Sequence, residues 1–249
     1  MKAFHGAALA IALAALAGCG DGDSTNAAAN MAAPPQLTQV EAPNGDWTAM
    51  VQQTPEGGYR MGNPNAPVKL VEYASLGCHV CQEFSAQGSG ELTNEYVKSG
   101  QVSWEFRPFL IFPTDPAMTM LLQCQGPQAF FRSSEQLYAQ QGELMGKVQA
   151  LGQPELQRIQ GLAPEQQSSA LVRAAGLDAF FKQRGMPESR INSCLADRQA
   201  IEKLVAITND AVTNKNVTGT PTFFINDEVV PQTSNWATLE PAIREAIGG

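Results

Sequence analysis

Cys78-His79-Val80-Cys81 is the part of this 249-residue chain whose residue types and spacing most directly offer chemistry. Two cysteines at this spacing on the first turn of a helix can close a small disulfide ring. The first sulfur then meets unsatisfied backbone N–H groups and the positive end of the helix dipole, which favour a thiolate. A thiolate is the nucleophile of disulfide exchange, so Cys78 is the candidate attacking group and Cys81, one turn inside, the candidate resolving thiol. Two blander readings compete: a local structural disulfide, and half of a zinc site completed by Cys124 and Cys194. The chain has two histidines, His5 and His79. A multi-histidine metal site is thereby excluded, and His79 is the one imidazole base near the pair. It either tunes the neighbouring sulfur or stands as a solvated bystander.

For this chemistry the motif must sit at a strand-to-helix junction, and the flanking pattern supplies one. Val68-Lys69-Leu70-Val71-Glu72-Tyr73 reads as a strand, and a helix follows from about Cys78 to Ser99, ended by Gly100. Val102 to Phe106 alternates with a period of two and continues into apolar Phe109 to Phe112, giving a second strand. Strand, helix and strand at this spacing make a right-handed crossover with parallel strands. Trp47 to Thr54 reads as a further short strand before the turn residues Pro55 to Gly58.

From 116 to 198 apolar residues recur at helical spacing, interrupted by Gly and Pro, with no convincing strand; the Gln- and Glu-rich stretches there read as solvated helix faces. A helix over about 200–214, a hairpin of Thr222–Ile225 and Glu228–Val230 around Asn226-Asp227, and a helix from Trp236 to Ile247 complete the chain. Trp104, Phe106, Phe223 and Phe224 are expected in the sheet core.

The N-terminus reads as an export signal over residues 1–18. Lys2 is the basic n-region, and Ala7 to Ala17 is an apolar run of 11 residues, too short for a permanent span. The run ends in Leu16-Ala17-Gly18-Cys19, which resembles the bacterial lipoprotein signal with Cys19 as the lipidated residue; an ordinary signal with an incidental cysteine is the alternative. Residues 19–45, rich in Ala, Asn, Gly and Pro, read as a flexible tether of ~28 Å r.m.s. reach, followed by one domain over 46–249. Without residues 1–18 the chain keeps 15 basic and 24 acidic groups, a net of −9, and no basic cluster. Nucleic acid is therefore not expected as a partner. Lipidation would leave Cys78, Cys81, Cys124 and Cys194, an even set, so two disulfide pairs are expected in an exported protein.

Together, Cys78 to Cys81, Thr220-Pro221 directly before an apolar strand, and Gly62-Asn63-Pro64-Asn65-Ala66-Pro67-Val68 leading into the first strong strand resemble the DsbA-like thiol-disulfide oxidoreductases over about residues 60–249. The resemblance implies an α/β thioredoxin-like fold: a core of about 60–115 and 200–249 with an α-helical insertion domain over about 116–199. It implies a cis-proline loop at Thr220-Pro221 facing the active-site disulfide, and a buried acidic position at Glu72 that assists proton movement at the second cysteine. A second, non-catalytic disulfide occurs in some members, which makes Cys124–Cys194 the expected pair. DsbA itself carries proline then histidine between its cysteines, whereas this chain has His79 then Val80.

The function so implied is disulfide formation in exported, cysteine-containing proteins on the periplasmic side of the bacterial envelope. The protein would be a lipid-anchored monomer, with no cofactor or metal beyond the redox-active disulfide, reoxidised by a quinone-linked membrane partner. The direction of electron flow stays open: thioredoxin near about −270 mV and DsbA near about −120 mV differ by ~7 kcal/mol on related motifs. A reductase or isomerase, and a non-catalytic binding lipoprotein that keeps the fold as a scaffold, are the alternatives.

Overall fold

A computed structural model of the protein describes residues 37–248. The export signal, Cys19 and residues 20–36 of the expected tether lie outside the described residues.

β3 (Val68–Ala74) is the strand on which the rest is arranged. Every residue in it except Lys69 is buried, the pattern of a central strand covered on both faces. It pairs in parallel with β4 (Val102–Pro108) and antiparallel with β5 (Thr222–Ile225). The sheet is completed by β1 (Val51–Gln53), β2 (Tyr59–Gly62) and β6 (Glu228–Val229), in the order β1-β2-β4-β3-β5-β6. Alternation along β3 divides the core. Leu70 and Ala74 pack with Phe84 of α1 (His79–Glu91) and Ile243 of α10 (Trp236–Gly248), while Val71 and Tyr73 pack with Ala211 of α9 (Arg198–Lys215) on the other face. This is the thioredoxin-like α/β arrangement.

Between β4 and α9 the chain is helical: α2 (Asp115–Cys124), α3 (Phe130–Ala139), α4 (Gln141–Gln149), α5 (Gln153–Gln160), α6 (Pro164–Ala174), α7 (Ala179–Lys182) and α8 (Glu188–Leu195). The insertion is not an independent appendage. Phe130 of α3 stacks on Tyr59 with ring centroids 4.0 Å apart, and Phe131 lies 4.7 Å from Trp104. Cys124 on α2 and Cys194 on α8 form a disulfide across a separation of 70 residues.

Four elements differ from the sequence reading. Trp47–Ala49 is a 3₁₀ turn capped by the Asp46 carboxylate, so the strand expected from Trp47 is confined to β1. The Trp47 indole instead donates to Val40 O at 2.8 Å and covers Gly100, where a Cβ would stand 2.5 Å from its Nε1. That contact draws in residues expected to belong to the tether: Leu37 packs on the core, and Val40 N–H donates to Ser99 O. β2 was not foreseen; at four residues beside Gly57-Gly58 its alternation is too brief to stand out. α1 passes after Glu91 into a π turn over Leu92–Val97 rather than continuing as α-helix to Ser99. Finally, the chain leaves β4 at Pro108, because the N–H groups of Ile111 and Phe112 are taken by the Asp115 carboxylate instead of a neighbouring strand.

Replacing both Cys124 and Cys194 with alanine is expected to lower unfolding stability by about 4 kcal/mol, the loop-closure value for a ring of this length. A urea titration of both proteins reads it; an unchanged midpoint would mean the link does not constrain the unfolded chain.

Candidate active site

The turn Ser75–Cys78 carries the chain from β3 into α1 and delivers Cys78 as the N-cap residue, in extended conformation at φ −77° and ψ 122°. Its sulfur takes the place of the usual capping oxygen, accepting from Cys81 N–H at 3.4 Å, and lies 3.3 Å from Thr220 O. The Cys81 thiol, the Thr220 side chain and the N–H groups of Val80 and Cys81 hold the Cys78 thiol down at about 6, against an opposing cost of burial. Cys81 has no solvent-accessible surface. Burial, together with the neighbouring Cys78 and Glu72, pushes its thiol far above the ordinary range. Both stand as free thiols, with unlike environments three residues apart.

Glu72 points to the same face of β3 as Leu70 and is buried. Burial pushes its carboxyl up to about 8, partly offset by the Trp104 indole, whose Nε1–H donates to Oε2 at 3.1 Å. Thr220-Pro221 is a cis peptide bond, set where the chain enters β5. The Thr220 hydroxyl is buried without a geometric hydrogen-bond partner among the described residues, and the Thr220 side chain lowers both thiols. The structure therefore brings Cys78, Cys81, Glu72 and Thr220 together.

His79 is placed differently. Its side chain is 74% exposed, and Nε2 lies 3.1 Å from Glu83 Oε1 one turn along α1, so the imidazole is engaged on the helix surface. The four-cysteine zinc arrangement does not form, because Cys124 and Cys194 are joined to each other.

Several residues at the site were not foreseen. Trp104 is a core residue as expected, and also the hydrogen-bond partner of Glu72. Asp115, Tyr138 and Gln141 reach the Ser75–Cys78 turn from the insertion. Asp115-Pro116 could have been found as a helix-start signal; Gln141 stands in a stretch read as a solvated face, yet is buried. Beside Cys78, the exposed side chains of Val80, Ile111 and Phe112 form an apolar rim, with the Phe112 ring so close over Gly77 that a Cβ there would stand 2.6 Å from it.

Residues 54–245 match the family profile described as thioredoxin, and the chain belongs to that family. Among solved structures, a protein-disulfide isomerase from Novosphingobium aromaticivorans is 28% identical with a TM-score of 0.72, covering 76% of this chain and 97% of that one. Wolbachia pipientis alpha-DsbA1 shares the fold at 19% identity and a TM-score of 0.59, covering 78% and 92%. A Rickettsia bellii protein whose name carries an inferred protein-disulfide oxidoreductase activity is 24% identical over 192 residues, 75% of this chain and 63% of that one. The chain thus spans about three-fifths of the length of the curated relatives it matches.

Two of the shifted groups, Cys78 and Glu72, give the reduced protein a specific pH dependence around neutrality. Cys78 falls from an ordinary 9.0 to about 6, so between these values the unfolded chain holds a proton that the native one lacks, and stability rises with pH. Glu72 rises from 4.5 to about 8, so over that range the native state holds the extra proton and stability falls. From pH 6 to 8 the two slopes cancel, and urea unfolding of the reduced protein is expected to be nearly flat. Glu72→Gln should expose a rise of about 1.4 kcal/mol per pH unit over this window, and Cys78→Ser a fall of the same size. A flat profile in Glu72→Gln would overturn the thiolate at Cys78.

Proposed function

We propose that this protein is a thiol-disulfide oxidoreductase that introduces disulfides into exported proteins, with Cys78 and Cys81 as the redox pair. The observation that carries the reading is the asymmetry of the two thiols: one held down at about 6 at a helix N-terminus, the other buried and held protonated. A scaffold that only binds needs no such pair.

In the oxidising direction a substrate thiolate attacks Sγ of Cys78 in the Cys78–Cys81 disulfide. The intramolecular S–S bond breaks, a mixed disulfide forms, and Cys81 leaves as a thiolate that must take up a proton. Glu72, protonated up to about pH 8 and near enough to Cys81 to raise its thiol when ionised, supports the role of donor. A second substrate thiolate then attacks the substrate sulfur. It releases Cys78 as a thiolate, and two electrons remain on the enzyme dithiol. A low thiol pKa makes Cys78 a good leaving group in this step. The Thr220 carbonyl beside Cys78 supports backbone pairing with an extended substrate segment, and the rim of Val80, Ile111 and Phe112 supports contact with apolar side chains of unfolded chains. Neither step requires a cofactor or metal.

Cys19 as a lipid anchor, the periplasmic side of the envelope as location, the monomer as working unit and a quinone-linked membrane reoxidant complete the proposal. They rest on the signal sequence and the family resemblance. Among the described residues no helix is long and apolar enough to cross a membrane.

A reductase or isomerase is the second reading, favoured by one observation. A Cys78 thiol at about 6 lies nearer the value of about 7 in thioredoxin than that of about 3.5 in DsbA. Equilibration of the domain in glutathione buffers separates the readings. The expected potential is more oxidising than about −180 mV, on the DsbA side of protein disulfide isomerase, whereas a value near about −270 mV would sink the oxidase in favour of the reductase.

A further inference from the structure

Each residue of the Ser75–Cys78 turn has a backbone group engaged by a side chain of the helical insertion. Tyr138 of α3 donates its hydroxyl to Ser75 O at 3.1 Å. Gln141, the first residue of α4, donates from Nε2 to Leu76 O at 2.8 Å and to Cys78 O at 3.0 Å. Asp115 of α2 accepts from Gly77 N–H at 3.0 Å, and its other oxygen accepts the Ser75 hydroxyl at 2.8 Å. All three side chains are buried. These bonds join residues separated by 38 to 65 positions, so the turn takes its shape from the insertion as well as from its own sequence.

The Gln141 contact is the one that reaches Cys78 itself. Cys78 O also accepts the first helical bond, from Gln82 N–H at 3.1 Å, and the Gln141 carboxamide occupies its second acceptor position. With its carbonyl held from two directions, the Cys78 peptide is fixed in orientation. Its sulfur is thereby kept over the Cys81 amide and against the Thr220 carbonyl. A carbonyl left with one partner could tilt, carrying the sulfur off the helix axis, where the first-turn N–H groups stabilise charge less.

We infer that Gln141 is the positioning residue for the Cys78 nucleophile, supported by Tyr138 and Asp115, and that the insertion thereby sets the reactivity of the thioredoxin core. The inference rests on the proposed role of Cys78 but is tested without assuming exchange activity. In the reduced protein, pH-dependent alkylation by iodoacetamide reads the Cys78 thiolate directly. Gln141→Met, close in size but without the N–H donors, is expected to raise the midpoint by about one unit, cutting the alkylation rate about tenfold at pH values below both midpoints. Tyr138→Phe should shift it in the same direction by less. Val172→Ala, in the buried part of α6 and away from the turn, should lower Tm and leave the midpoint in place. An unchanged midpoint in folded Gln141→Met overturns the inference. If that variant fails to fold, an unchanged midpoint in Tyr138→Phe does so. A midpoint that follows Tm in all three would assign the effect to general loosening and also overturn it. Failure of the disulfide-donor reading would instead appear as a wild-type thiol that titrates low yet exchanges with no protein disulfide.

Discussion

A sulfur that caps a helix is the constraint on which this structure depends. Capping requires Cys78, at the end of the Ser75–Cys78 turn, to stand in extended conformation directly before α1, so that its side chain meets the amide of Cys81. Three residues later the same helix must carry the second sulfur out of water. Phe84, Trp104 and Phe223, each buried and in aromatic contact, fill the layer between α1 and the sheet below that sulfur. The difference between the thiols is thus a product of position on one helix: the end, where dipoles are unsatisfied, and the interior, where charge has no solvent.

Glu72 fits into the same scheme from the strand side. An ionisable carboxyl on a fully covered strand is costly, and this one has one hydrogen-bond partner among the described residues, the Trp104 indole. It stays neutral through most of the physiological range and can coexist with a thiolate close by. Asp115 is also buried, and burial raises its carboxyl too, but four donors surround it: the Ser75 hydroxyl and the N–H groups of Gly77, Ile111 and Phe112. The first carboxyl is poised to exchange a proton; the second is a fixed structural acceptor.

Much of this was legible in the sequence, for physical reasons that can be stated. β3 and α1 announce themselves because a doubly covered strand is almost wholly apolar and because Gly100, at φ 79°, stops a helical run. The Asn226-Asp227 hairpin does so because both residues adopt positive φ. The cysteine pair is legible because its spacing is local, whereas Glu72 and Thr220 were expected only from the family resemblance. What was not legible is what polar side chains do at long range. Gln141 belongs to a residue type that usually faces water, and only the packing of α4 against the Ser75–Cys78 turn buries it. Trp104 was read as core and is core; its role as a donor depends on the register that sets β4 beside β3. The 3₁₀ turn at Trp47 prevailed over a strand because Asp46 caps it locally and the indole finds Gly100.

The sheet ends in short borders: β1 has three residues and β6 has two. Few backbone N–H and C=O groups are left unpaired along either outer edge, and a short edge is a poor template for a foreign strand. In the proposed role among incompletely folded chains, the protein would be continually offered such strands. Its rims give them little to zip onto, so encounters can remain brief, and the molecule is protected from co-aggregating with the chains it meets.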